Sequence, residues 1–178
     1  MKLLAVSSLP FKDKPIIWIV LLLSLFVTAV ARIPQLFLPF ERDEGAYAYI
    51  AEIIDRGGLP YRDAFDHKPP GIYYLYHLSF SVFSNTVYAP RLAALFFIAA
   101  TCILVYSFVF KVTKSSSAGT LSMALLAFAT ASPAYAGFTA NTEIFVLPFV
   151  LGASLLLLKD ELSGRVAFLC RGASGLHH

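Results

Sequence analysis

Charge is scarce in this chain. Aspartate, glutamate, lysine and arginine make up 14% of its 178 residues, whereas a soluble domain carries about 25%. With 58% hydrophobic residues, that shortage excludes an ordinary water-soluble globule and predicts an all-α membrane protein. The net charge is only +3, and no basic run or basic stripe interleaved with aromatics occurs, so nothing points to a nucleic-acid partner. Cysteine is down to two residues. Cys102 lies inside an apolar run and Cys170 far along the chain, which is no disulfide framework; each reads as a small buried hydrophobe. There is no internal repeat, no Ser- or Gly-rich linker and no soluble domain.

What the chain does have is long apolar runs around one polar island. The first run, Pro15 to Leu36, follows Lys2, Lys12 and Lys14. Ala29-Val30-Ala31 inside it resembles a signal-peptide cleavage site, but apolar character resumes with Ile33, Leu36 and Phe37, so the run reads as an uncleaved span. The three lysines put residues 1–14 in the cytoplasm. Residues 15–37 are then the first transmembrane helix, 38–88 an outer loop, and 89–168 further transmembrane helices. Within the last stretch the runs are Ala89–Phe110, Ala118–Ala136 and Ile144–Leu158. Lysines after the second and fourth spans mark those ends as cytoplasmic. This count closes only if Pro69–Phe83, about 15 residues of mostly apolar and aromatic character, does not cross. The link containing Glu143 then lies outside, with the loop. Arg165–Leu169 begins a fifth span that Cys170–His178 abandons, so 169–178 reads as a truncated or frameshifted tail; the alternative is a short polar ending after four spans.

Seven of the eleven carboxylates fall between Glu41 and Asp66. Gly45–Arg56 has helical spacing, with Ala46, Tyr47, Ile50, Ile53 and Ile54 on one stripe and Gly57-Gly58 as the stop. Such a helix is too short to span and belongs at the membrane interface. Asp43 is either a general base for an acceptor hydroxyl or, with Glu44, an acidic helix start. Lys68 precedes Pro69 and Pro70, which hold its backbone extended; it is either a phosphate contact or a snorkelling side chain. Glu143 follows Asn141 and Thr142, either of which can cap the next helix. His67 alone is a weak metal ligand, which leaves a divalent ion open. Tyr47, Tyr49, Tyr61, Tyr73, Tyr74 and Tyr76 read as an interface belt, one or two of them lining a ligand pocket instead.

Taken in order, Arg42-Asp43-Glu44 with Tyr47, then Tyr61-Arg62-Asp63, His67-Lys68-Pro69-Pro70, Arg91-Leu92 and Asn141-Thr142-Glu143 resemble the amino-terminal part of GT-C glycosyltransferases. These include the protein O-mannosyltransferases and lipid A aminoarabinose transferases. The resemblance covers residues 15–168. It implies a multi-pass helical bundle with juxtamembrane amphipathic helices in the first outer loop. It implies a polyprenyl-phosphate sugar donor and an acceptor that is a lipid, glycan or protein, met at the outer (periplasmic) face of the cell membrane. Asp43 maps onto the catalytic acid residue of that loop, with Glu44 beside it. Lys68 maps onto the lysine that approaches the lipid-linked phosphate, and Glu143 onto a later outer-side acid. Tyr47, Arg62 and His67 join Lys68 and Glu143 as expected substrate contacts. Aminoarabinose transferases have glutamate where this chain has His67, which puts a metal role at that position in doubt. The competing readings are a small non-enzymatic membrane subunit or transporter fragment, and an inactive truncated relic.

Overall fold

The computed structural model describes residues 15–131 and 139–158. Among them six helices follow in order: α1 (Pro15–Leu36), α2 (Arg42–Asp55), α3 (Gly71–Phe83), α4 (Tyr88–Thr113), α5 (Ser116–Ala131) and α6 (Thr142–Leu157). The amino-terminal stretch and the atypical tail of the sequence reading lie outside the described residues, as does Cys170.

Helices α1 and α4 are long and apolar enough to cross a membrane; α5 and α6 are shorter apolar helices. Thr28 of α1 donates its hydroxyl to the carbonyl of Ala127 in α5 at 2.8 Å, and Arg32 reaches the Thr130 carbonyl, also at 2.8 Å. At the other end Tyr106 of α4 meets Ser116 of α5 at 3.2 Å. Helices α1 and α5 therefore run one way. Helix α4 runs the other, and α6 runs with it, since Phe97 packs edge-on against Phe145. In α1 the buried residues Ile17, Leu21, Thr28 and Arg32 form one stripe, while Ile19, Leu22, Leu23 and Phe26 are exposed. A helix that is apolar on its outward face as well suits lipid surroundings.

Helices α2 and α3 lie at the end of the bundle where α4 and α6 begin. At 14 and 13 residues each is about 20 Å long, well short of a hydrocarbon core of roughly 30 Å. Gly57, with φ of 82°, ends α2 in a Schellman turn: its N–H reaches the Ile54 carbonyl, and that of Gly58 reaches Ile53. Two expectations need correction here. The buried stripe of α2 is Glu44, Tyr47, Ala48, Ile50 and Ala51, rotated from the expected one because Glu44 is drawn inward. The tyrosines do not form one interface belt. Tyr49, Tyr61 and Tyr74 are exposed, but Tyr47, Tyr73 and Tyr76 are fully buried, packed between α2 and α3 with edge-on and tilted ring contacts.

Lys114, in the left-handed region at φ 56°, reverses the chain between α4 and α5, and the Ser115 hydroxyl caps α5 through the Ala118 N–H. The two helices come together at Gly119, where a Cβ would stand 3.0 Å from the Tyr106 ring and 3.1 Å from the Tyr106 carbonyl. Gly119→Val should lower stability by about 1–3 kcal/mol through overpacking. Gly152→Val, with nothing within 4 Å of its Cβ, should change it by less than about 0.5 kcal/mol. Thermal unfolding of the detergent-solubilised chain checks both.

Candidate active site

The site begins with a capping box. Glu41 is the N-cap of α2: its carboxylate accepts from the Asp43 N–H at 3.1 Å, and Glu44 reaches back to the Glu41 N–H at 3.1 Å. The capping carboxylate is thus Glu41, which the sequence reading did not single out, and Asp43 is left without a capping task.

Glu44 does more than cap. It is fully buried with Arg91 of α4, whose guanidinium donates to it at 3.0 and 2.5 Å. Arg91 also donates to the carbonyls of Leu38 at 2.9 Å and Pro39 at 3.1 Å. The remaining carboxylate capacity of Glu44 accepts the Ala140 N–H at 2.8 Å. The carbonyl of the same alanine accepts from the Tyr76 hydroxyl at 2.9 Å. One pair of side chains therefore ties α2, α4, the chain before α2 and the entry to α6. Asn141 is the N-cap residue of α6 but makes no side-chain capping bond. Thr142 does not cap either; it donates its hydroxyl to the Tyr47 hydroxyl oxygen at 3.3 Å. The Thr142 cap is replaced by this tertiary bond.

Neighbouring helical residues point about 100° apart, so with Glu44 inward Asp43 faces the rim, its side chain 37% exposed. Tyr47 lies one turn further along the same helix. From the loop Lys68 brings its ammonium to 3.6 Å from the Glu143 carboxylate at the start of α6. Burial pushes the Tyr47 phenol up; Thr142 and Lys68 pull it down, Asp43 and Glu143 push it up, and the net shift is upward. Burial would lower the Lys68 amine, but Tyr47, Glu143 and Asp43 outweigh it and hold the amine above its ordinary value of 10.5. Asp43, Tyr47, Lys68 and Glu143, one hundred positions apart at their extremes, share one electrostatic neighbourhood. Such a site offers a positioned cation for a phosphate and a rim carboxylate for a hydroxyl proton.

Two of the expected contacts go elsewhere. Arg62 forks onto Asp63 at 2.6–3.0 Å on the exposed loop. His67 pairs with Asp66 at 3.0 Å, its side chain 76% exposed. Among the described residues no group of three or more His, Cys, Asp or Glu side chains could hold a metal ion. Beside Glu143 an apolar groove of about 210 Å³ runs between α4, α5 and α6, lined by Ile98, Thr101, Leu126, Ile144 and Leu147. The sequence reading missed the partnership of Glu44 with Arg91. The signal was an arginine at the head of an apolar helix whose other charge, Lys111, lies in its last turn; such an arginine needs a named partner.

The model of the family described as dolichyl-phosphate-mannose-protein mannosyltransferase matches residues 67–175, more than half of the chain. No curated protein and no solved structure matches it.

Two outcomes follow from the geometry. Glu44→Leu should cost about 3–5 kcal/mol because it removes the counter-charge of a buried guanidinium, and adding Arg91→Met should recover much of that loss; chemical unfolding of the unaltered chain, the two single variants and the double checks the cycle. Because the folded chain holds the Lys68 proton more tightly than the unfolded one, its contribution to stability is complete below 10.5 and lost as pH rises through the higher folded value. The midpoint measured by NMR on isotopically methylated lysine should lie above 10.5.

Proposed function

The chain belongs to the dolichyl-phosphate-mannose-protein mannosyltransferase family, and on that premise we propose that it transfers a sugar from a polyprenyl-phosphate donor to an acceptor hydroxyl at the outer membrane face. The observation that carries this reading is the convergence of Asp43 and Tyr47 of α2, Lys68 of the loop and Glu143 of α6 at one end of an apolar bundle. A bundle of this kind suits a donor whose isoprenoid tail stays in lipid while its phosphate sits at headgroup level. The groove beside Glu143, adjacent to the ion pair, is of the right character to receive the first part of such a tail.

In this mechanism Asp43 takes the proton of the acceptor hydroxyl as its oxygen attacks the anomeric carbon. The bond from that carbon to the phosphate oxygen breaks with inversion, and the electron pair leaves with the phosphate. Lys68 offsets the charge that develops there. Tyr47, kept protonated, is available to donate to the same phosphate or to the sugar. Glu143 holds the lysine in place before the donor arrives and faces the incoming acceptor afterwards. Glu44 is a positioning residue: both its oxygens are taken by Arg91 and by backbone N–H groups, and its burial aims Asp43 outward.

Asp43→Asn keeps the shape of the side chain and removes the base. In membranes supplied with polyprenyl-phosphate mannose and acceptor, this variant should lose about 10²- to 10⁴-fold in transfer rate at unchanged abundance. Near-full activity would sink the assignment.

A further inference from the structure

Lys68 is held by its backbone as well as by its charge, and the residues that hold it have no part in the scheme above. The Tyr61 hydroxyl donates to the Lys68 carbonyl at 2.6 Å, and the Tyr73 hydroxyl donates to the same oxygen at 3.1 Å. Tyr73 also lies 3.1 Å from the Asp66 carboxylate. A carbonyl oxygen has two lone pairs; here Tyr61 takes one, and Tyr73 divides its single proton between the other and Asp66. On the other side of this carbonyl stand Pro69 and Pro70, which fix the following backbone.

Tyr61 reaches this position at a conformational cost. Its φ is 66°, a region that residues with a Cβ seldom enter, and such outliers persist where the surroundings over-determine them. The surroundings do so here. The Tyr61 N–H donates to the Ala64 carbonyl at 2.7 Å, and Asp63 accepts the Leu59 N–H at 2.8 Å. The Tyr61 ring stands edge-on to that of Tyr73 at 6.0 Å. Tyr73 is itself fully buried in α3, so the loop is clamped onto a helix and not onto another loop. Arg62 and Asp63 pair with one another and close this turn.

We infer that Tyr61 and Tyr73 are positioning residues that set the Lys68 backbone so that its ammonium meets the donor phosphate. The inference rests on the assignment of Lys68 to the phosphate. Both phenols bear on the Lys68 carbonyl, Tyr73 sharing its proton with the Asp66 carboxylate, and neither touches the reacting atoms. Removing one leaves the other bonded, so each single loss should be partial. Removing both leaves the carbonyl without its clamp and lets the lysine side chain sample positions away from Glu143.

The test is a titration of the chain in lipid nanodiscs with a short-chain polyprenyl monophosphate. The proteins are the unaltered chain, Tyr61→Phe, Tyr73→Phe, the double Phe variant and Lys68→Met. Phenylalanine keeps both rings packed. Each single variant should bind about threefold more weakly and the double about tenfold. Acylation of Lys68, read by mass spectrometry, should be faster in the double variant as the ammonium leaves Glu143; a merely structural loss elsewhere would not single out that lysine. If Lys68→Met weakens binding and the double variant binds and acylates like the unaltered chain, the clamp is refuted and the phosphate assignment stands. If Lys68→Met binds normally, the phosphate assignment falls, and the inference with it. Should the double variant melt early, Tyr61→Phe alone decides by the same two readouts: unchanged values refute the clamp.

Discussion

Everything at the polar end of this bundle depends on one buried ion pair. Taking a carboxylate and a guanidinium out of water costs several kcal/mol each before any return. The Glu44–Arg91 pair offsets that cost with two charge-assisted bonds between the partners and with backbone groups around them. The guanidinium also lies 5.9 Å from the Phe40 ring centroid, close enough for a cation–π contribution. A hydrophobic pair of similar size would serve stability as well. What it would not provide is direction: four backbone groups, from Leu38, Pro39, Glu41 and Ala140, are held in one fixed arrangement around two side chains.

That arrangement explains why a site assembled from distant parts of the chain is compact. Ala140 is gripped on both sides, its N–H by Glu44 and its carbonyl by Tyr76, so the first turn of α6 is fixed against α2 and α3 before Glu143 is reached. The loop contributes Lys68 by different means, through proline stiffness, a closed turn and two phenols. Rigid helices carry the carboxylates and a braced loop carries the ammonium, and the approach of Lys68 to Glu143 is where the two constructions meet.

Much of this was legible in the sequence. The bounds of α1 follow from its apolar run, the end of α2 from Gly57-Gly58, and the short extent of α3 from its brief apolar and aromatic stretch. Asp43, Lys68 and Glu143 were each singled out by residue type and neighbours, and Tyr47 joined them through the family resemblance. What was not legible was which carboxylate turns inward. Asp43 and Glu44 are equivalent to any local rule, and only Arg91, forty-seven positions away, separates them. The tyrosines misled for a related reason: composition places a phenol at the membrane surface, whereas partners such as the Ala140 carbonyl and Asp66 let Tyr76 and Tyr73 lie inside. Asn141 and Thr142 have the right chemistry for a cap, but helix α6 starts against α2, so Thr142 bonds to Tyr47 instead.

The pairing of Glu44 with Arg91 also sets an order of events during synthesis. A chain emerging at about 5–20 residues per second exposes Glu44 for roughly 2–9 s before Arg91 exists. Over that interval the carboxylate has no guanidinium to enter with, and desolvation keeps it in water. The α2 helix can form early, since its cap is local, but it cannot seat on the bundle until α4 has been inserted. The polar end of the described bundle therefore closes only after α4 is in place, and its closing reports that this later helix has arrived.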